Sequence, residues 1–177
     1  EVERRPIALR NTAEAARNFS RFTSAGHNSN LLDDTPDGQR QRDAVGELVR
    51  SETQKEWETL GIQLGYRYED SPLCIPDGTS PPPDDSQIYV PTARPGSRAP
   101  HVWLSEGRSI LDHFGGDFVL LRFDPAIEIR SLVESADAAG IPVNLVDIEN
   151  NEAKTLYQNG LVLVRPDGHV AWRGNDC

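Results

Sequence analysis

Apolar residues are sparse and helically spaced in the N-terminal third of the chain. They become continuous or alternating only in the C-terminal half. Residues 1–22 (EVERRPIALRNTAEAARNFSRF) are rich in Ala and Arg, both strong helix formers. Ile7, Ala8, Asn11, Ala15, Asn18, Phe19 and Phe22 share one stripe of a 3.6-residue period, which predicts a helix. Pro6 sits near its start, where a missing N–H costs least. Residues 23–37 are polar and turn-rich and read as a loop. A second helix is predicted over 38–60, with Val45, Leu48, Val49, Trp57 and Leu60 as its apolar face and Gly61 ending it. Two short runs follow, GIQLGYRY and SPLCIP, which read as strands. From Asp77 to Pro100 the chain is Pro-rich and reads as an extended, exposed linker.

Beyond the linker the period changes. HVWL reads as a short strand, and SEGRSILDHFG holds a turn and one helical turn. FVLLRF is an unbroken apolar run, the pattern of a central strand covered on both faces. Residues 125–139 predict an amphipathic helix with Pro125 at its first position, Ile129, Leu132, Val133 and Ala136 on one face, and Gly140 after its end. VNLVDI reads as the next buried strand and 151–158 as a short helix. LVLVRPDGHVAWRG reads as a hairpin around a Pro-Asp-Gly turn, with an exposed outer edge. The order is β–α–β–α–β–β, with the first two strands parallel through a crossover helix, which is the thioredoxin-like order. The expected fold class is therefore α/β. A thioredoxin-like domain spans 101–177, a linker 77–100, and a mainly helical tail with short strands 1–76.

The chain has 177 residues and a net charge of −10, divided evenly about the linker: residues 1–94 carry 11 basic and 16 acidic groups, residues 95–177 carry 7 and 12. An acidic chain without a basic run argues against nucleic acid or an anionic membrane as partner. No apolar run reaches membrane-spanning length and no secretory leader opens the chain. Cys74 and Cys177 form neither a CxxC motif nor a disulfide framework, so a cytoplasmic location is expected. The chain contains no Met and begins at Glu1, which reads as a fragment or a processed piece.

Pro95-Gly96-x-Arg98-x-Pro100-His101-x-Trp103-Leu104, then Leu111-Asp112-x-Phe114-Gly115, then Phe118-x-Leu120-Leu121 resembles the C-terminal domain of class A flavin-dependent aromatic hydroxylases, phenol- and polyketide-type enzymes among them. The closing LVLVRPDGHVAWRG is similar to that domain's final hairpin. GYRYEDSPLCIPDGTSPPP resembles the segment before it, and EVERRPIALRN a helix late in the flavin domain. The resemblance implies a parent enzyme that uses FAD and NAD(P)H to insert one oxygen atom into a phenolic or polycyclic aromatic ring. It also implies an N-terminal flavin-binding domain as partner, and a homodimer as a candidate assembly. The family holds FAD with an early GxGxxG, and no G-x-G triplet occurs in this chain. On this reading the chain is a structural and association module that does not catalyse alone. The alternative is a free-standing, redox-inactive thioredoxin-like interaction module.

The remaining candidates are weighed against plainer readings. The position of a redox CxxC is taken by Asp124-Pro125-Ala126-Ile127, which holds no sulfur, and Cys74 lies among apolar neighbours as a buried thiol. His27, His101, His113 and His169 have no metal-ligand spacing, and no metal site is expected. His169 is expected to face solvent or pack on Trp172. Ser105 and Ser109 lack the strained setting of a nucleophile. The pairs Asp33-Asp34 and Asp84-Asp85 read as solvated turns. Arg67, between Tyr66 and Tyr68, is the one substrate-side candidate: an arginine there can polarise a phenolate, while its plainer reading is a solvated strand charge. Arg98, His101 and Trp103 are candidate interdomain contacts, and their plainer reading is a tether. No cofactor-binding residue is assigned. The outer edge of the hairpin and the pair Trp103/Trp172 are candidate contact surfaces.

Overall fold

The computed structural model describes residues 1–24 and 30–176, without the side chains of 21–24 and 55–56. His27 and Cys177 therefore lie outside the described residues, as does the side chain of Phe22. Helix α1 spans Arg4–Ser24 and α2 spans Pro36–Trp57. The second helix begins earlier than its apolar spacing predicts. Thr35 accepts a hydrogen bond from the Gly38 N–H and Pro36 fills the first turn, so the start is set by capping. The covered face of α1 runs through Glu3, Ile7, Arg10, Asn11, Glu14 and Asn18, and leaves Ala8, Ala15 and Phe19 exposed. Leu9, Leu48, Val49 and Trp57 are also exposed, Trp57 at 84%.

Between the helices and the sheet the expected strands do not form. Leu60–Gln63 is a short helix, α3, and Gly61 lies inside it rather than ending α2. A Cβ on Gly61 would stand 1.8 Å from the Asp85 carbonyl oxygen, so this glycine is fixed by the close approach of another segment. GYRY contributes a single bridge, Arg67 to Ser97, and SPLCIP is held by turns and one hydrogen bond from Ile75 N–H to Ala171 O. Pro72 and Pro76 deprive that run of a ladder.

The four-stranded sheet has the order β4-β3-β5-β6, with β3 Phe118–Arg122, β4 Val143–Asp147, β5 Leu161–Val164 and β6 Val170–Gly174. β3 and β4 are parallel and the other two pairings antiparallel, as the predicted β–α–β–α–β–β order requires. The apolar run of β3 serves both faces. Val119, Leu121 and Phe123 enter a core with Ile110, Ile148, Tyr157 and Val162, while Leu120 enters a second core with Ile129 and Leu161. Burying a leucine as fully as Leu120 contributes roughly 2 kcal/mol.

The helix α4, Arg130–Ala138, covers the second core, and α5, Asn151–Tyr157, covers the first. α4 starts five residues later than expected, because Asp124 turns the chain by accepting the Ala126 N–H. Its end is as expected: Gly140 has a φ of 67° and Ile141 N–H bonds back to Ala136 O. VNLVDI is an edge strand with Asn144 and Leu145 exposed, not a buried one, since nothing pairs beyond it. The strands β1, Trp103–Ser105, and β2, Arg108–Ser109, form a small ribbon, followed by one 3-10 turn at Ile110–His113.

The linker is only partly exposed. Ala93, Pro95, Gly96, Ser97, Ala99 and Pro100 are buried, and the Tyr157 hydroxyl donates to Pro100 O at 2.8 Å. Val170 N–H donates to Ser97 O and Gly96 N–H to Val170 O, while Ala99 N–H donates to Gly168 O. The outer edge of the hairpin is therefore covered from Gly168 to Val170 by the linker, with Ile75 bonding to Ala171, rather than exposed there. Gly96 makes this possible with a φ of 85°, where a Cβ would stand 2.8 Å from Tyr68 O. Replacing Gly96 by Ala is expected to lower stability by about 2–3 kcal/mol. Gly46→Ala, in open space on α2, is expected to raise it by about 0.5–1 kcal/mol. Urea denaturation of both variants checks the pair.

Candidate functional site

The buried polar groups converge where α1 meets the hairpin. Arg165 leaves the end of β5 with its side chain 8% exposed and grips Glu3 with two contacts, Nη1 to Oε1 at 2.5 Å and Nη2 to Oε2 at 3.2 Å. Its Nη2 also donates to Asp167 at 2.8 Å, and Nη1 approaches Ser71 Oγ at 3.4 Å and Cys74 Sγ at 3.8 Å. Ser71 Oγ donates to Glu3 Oε1 at 2.5 Å. The Pro-Asp-Gly turn thus does more than reverse the chain: Asp167 braces the guanidinium and Gly168, with a φ of 81°, closes the bend. The Arg165 and Ser71 donors hold the Glu3 carboxyl down at about 2, well below its usual value, and Glu3 raises Arg165 in return.

His169 lies beneath this clasp. It is 2% exposed, stacked at 4.4 Å from the Tyr68 ring and 5.3 Å from Tyr66, with Nδ1 at 3.4 Å from Asp167. The expectation that it faces solvent or packs on Trp172 is overturned. Arg98 pairs with His169 across the hairpin edge, so residues 66–68 and 96–98 lie over it as two further extended segments. Trp172 packs in the second core instead. Burial depresses the basicity of His169 and the Arg165 charge adds to this, against the pull of Asp167.

A cleft of about 240 Å³ opens beside the clasp, between the first turns of α1 and residues 65–71, with Asp84 at its rim. Arg67 lines it together with Tyr66 and Tyr68 and pairs with Glu69 at 2.6 Å. Arg10 grips Asp84 at 2.6 Å, so Asp84 is an anchor for the Pro-rich segment rather than a solvated turn. Asp85 accepts the Gln87 and Ile88 N–H groups. Asp77 accepts from Arg173 at 2.5 Å, and Arg94 reaches Thr79 O and Glu69, so the segment is fastened along its length.

The cleft does not fit a dinucleotide. Its two arginines already hold carboxylates, and a pyrophosphate would meet Glu3, Glu69, Asp70 and Asp84. The described residues also contain no group of three metal-ligating side chains. Cys74 is buried against Val170 O.

The other residues singled out by the sequence do not converge on this site. His101 and Trp103 stack edge to face at 4.7 Å on the β1 ribbon, with Trp103 59% exposed. Arg98 is half-buried under the Pro-rich segment. The Arg165–Glu3 clasp was not legible in the sequence, since its partners are 162 positions apart.

Acid should open the clasp in two steps. His169 is held neutral by the fold, so the stability it contributes falls as pH drops below its unfolded value near 6.5. Glu3 is held ionised, so its contribution is complete above 4.5 and lost as pH falls towards about 2. Urea midpoints measured against pH should show both steps. His169→Phe should remove the upper and Glu3→Gln the lower. Arg165→Met should cost about 2–3 kcal/mol at neutral pH.

Residues 92–177 match the family described as aromatic-ring hydroxylase, C-terminal. Over 99% of its length the chain is 31% identical to an FAD-dependent monooxygenase, opdD, of Penicillium oxalicum, covering 35% of that protein. It is 32% identical to 4-methyl-5-nitrocatechol 5-monooxygenase of a Burkholderia species, again over 99% of the chain and 31% of the relative. The fold superimposes on the rebeccamycin biosynthetic enzyme RebC, solved with reduced flavin, at a TM-score of 0.88 and 38% identity, covering all of this chain and 33% of that one. The chain thus spans about a third of the length of the relatives it matches. It belongs to the aromatic-ring hydroxylase family, whose C-terminal domain it carries over residues 92–177, and it corresponds throughout to the C-terminal region of FAD-dependent monooxygenases.

Proposed function

We infer that the chain is the C-terminal region of a larger aromatic hydroxylase that uses FAD and NAD(P)H on a phenolic or polycyclic aromatic substrate in the cytoplasm. Residues 1–76 form the tail of the flavin and substrate domains, 77–100 link them to the terminal module, and 101–177 form the thioredoxin-like module. The observation that carries this reading is the number of large apolar side chains left exposed on the helical pair. Leu9, Phe19, Leu48, Val49 and Trp57 stand in solvent on α1 and α2, while the sheet's own cores are closed. Such a side chain as Trp57 is favourable only against another apolar surface, and the missing N-terminal flavin domain is that surface in this reading. The same exposed side chains count against a free-standing module.

FAD, when bound by that domain, supplies the redox chemistry that activates oxygen. The residues of this chain hold α1 in place through Glu3 and Arg165, and the module adds packing and subunit association as a homodimer. His101 and Trp103 are its exposed contact pair. Arg67, tied to Glu69 at the rim of the cleft, is the residue through which this region would meet substrate. No helix among the described residues is long and apolar enough to cross a membrane.

Limited proteolysis with mass readout tests the division. Cleavage should begin within α1 and α2, and a fragment running from about Leu64 to the end of β6 should persist, because residues 66–76 dock on the hairpin. Titration with FAD should leave that pattern unchanged and show no saturable quenching of flavin fluorescence. Saturable micromolar binding would overturn the assignment of the flavin site to another domain. Uniform resistance of α1 and α2 would favour the free-standing module.

A further inference from the structure

Asn159-Gly160 is the one Asn-Gly pair in the chain, and it lies between α5 and β5, outside both elements. In such a pair the next backbone nitrogen can attack the asparagine side chain most readily, because glycine has no Cβ to block the approach. Gln158 ends α5 with a φ of 68°, so the chain has left the helix before Asn159. The Asn159 side chain is half-buried and has no hydrogen-bond partner among the described residues. With Gly160, Lys154 and Asn175 it lines an open hollow of about 490 Å³, which admits water. Glycine is fixed at 160 by packing, since a Cβ there would stand 2.3 Å from Ile127 Cδ1. Gly160 O also accepts the Phe123 N–H at 2.8 Å, just beyond β3. The fold therefore keeps a reactive pair at this bend.

The Asp-Gly pairs at 37–38, 77–78 and 167–168 are placed differently. Their aspartates are ion-paired with Arg40, Arg173 and Arg165, and a carboxylate anion is a poor electrophile. At Asn159 the restraint comes from the nucleophile's side: Gly160 N–H donates to Asn175 Oδ1 at 2.8 Å. The attacking nitrogen must give up its proton, and this bond favours the form that keeps it. We propose that Asn159 is a latent deamidation site latched by Asn175. With the latch open, the Gly160 nitrogen bonds to Asn159 Cγ. The Cγ–Nδ2 bond breaks, and Nδ2 leaves as ammonia with the proton that the Gly160 nitrogen gives up. Water then opens the cyclic imide at either carbonyl, which yields aspartate or isoaspartate. Either product adds a negative charge to the hollow that Lys154 lines, and Lys154 has no ion pair among the described residues. Isoaspartate also lengthens the backbone between α5 and β5 and so disturbs the Gly160–Phe123 bond. The assignment is independent of the parent enzyme's chemistry.

The test is the rate at which residue 159 converts in the purified chain at mildly alkaline pH. Peptide mapping that resolves aspartate from isoaspartate supplies the readout. Native wild type should convert at least about fivefold more slowly than the same chain unfolded in urea, the worth of one neutral hydrogen bond. Asn175→Ala should speed the native protein about fivefold and leave the rate in urea unchanged. Asn175→Asp keeps an acceptor oxygen and should convert no faster than wild type. Asn159→Gln should abolish the signal, because its longer side chain closes a less favourable ring. Native wild type as fast as the unfolded chain, or a native rate unmoved by Asn175→Ala, would overturn the latch. Should Asn175→Ala fail to fold by circular dichroism, Asn175→Asp decides: a rate at or below that of wild type upholds the proposal, and a rise overturns it.

Discussion

The Arg165 guanidinium is the contact on which the arrangement of the whole chain depends. It is nearly buried, and such a charge is tolerated only when it is paired and hydrogen-bonded. Nη2 meets Glu3 and Asp167, and Nη1 meets Glu3 with Ser71 and Cys74 beside it. Because Glu3 precedes α1 and Arg165 follows β5, satisfying one side chain fixes the first helix against the last hairpin. Few other contacts join these ends of the chain, so the clasp sets their relation.

Around that clasp the sheet grows beyond its four strands. Residues 96–99 bond to Gly168 and Val170 at the start of β6, and Arg67 pairs in turn with Ser97, so two irregular segments continue the hydrogen bonding outward. Backbone groups that a lone hairpin would expose are thereby paired. The tyrosines of GYRY then close over His169 as an aromatic roof. The ion pairs Arg10–Asp84 and Arg173–Asp77 fasten the Pro-rich segment at two further points. Up to Arg94 the stretch is thus held mainly by side chains, and from Gly96 onward by backbone bonds to the hairpin.

The distribution of apolar surface separates two parts of the chain by what they need. The sheet with α4 and α5 closes two cores, the first of them completed by Ala93, Ala99, Val102 and Ile110 from the segments that precede it. The pair α1–α2 does not, since much of its apolar surface faces outward. This matches a chain that corresponds to about a third of its full-length relatives.

Sequence alone determined the elements whose signals are local. FVLLRF was legible as a central strand because an unbroken apolar run satisfies two covered faces at once. The closing hairpin was legible because Pro166-Asp167-Gly168 is turn chemistry between two alternating runs. The family resemblance also rested on short strings in order. Tertiary structure decided what depends on a distant neighbour. VNLVDI became an edge strand because its place in the sheet is set by topology, which its composition does not encode. Gly61 and Gly96 serve close backbone approaches, which no local pattern announces. The burial of His169, and its place beside Arg165 and Glu3, came from three segments far apart in sequence. A charged residue carries no local mark of the partner that will neutralise it, and only the fold brings the two together.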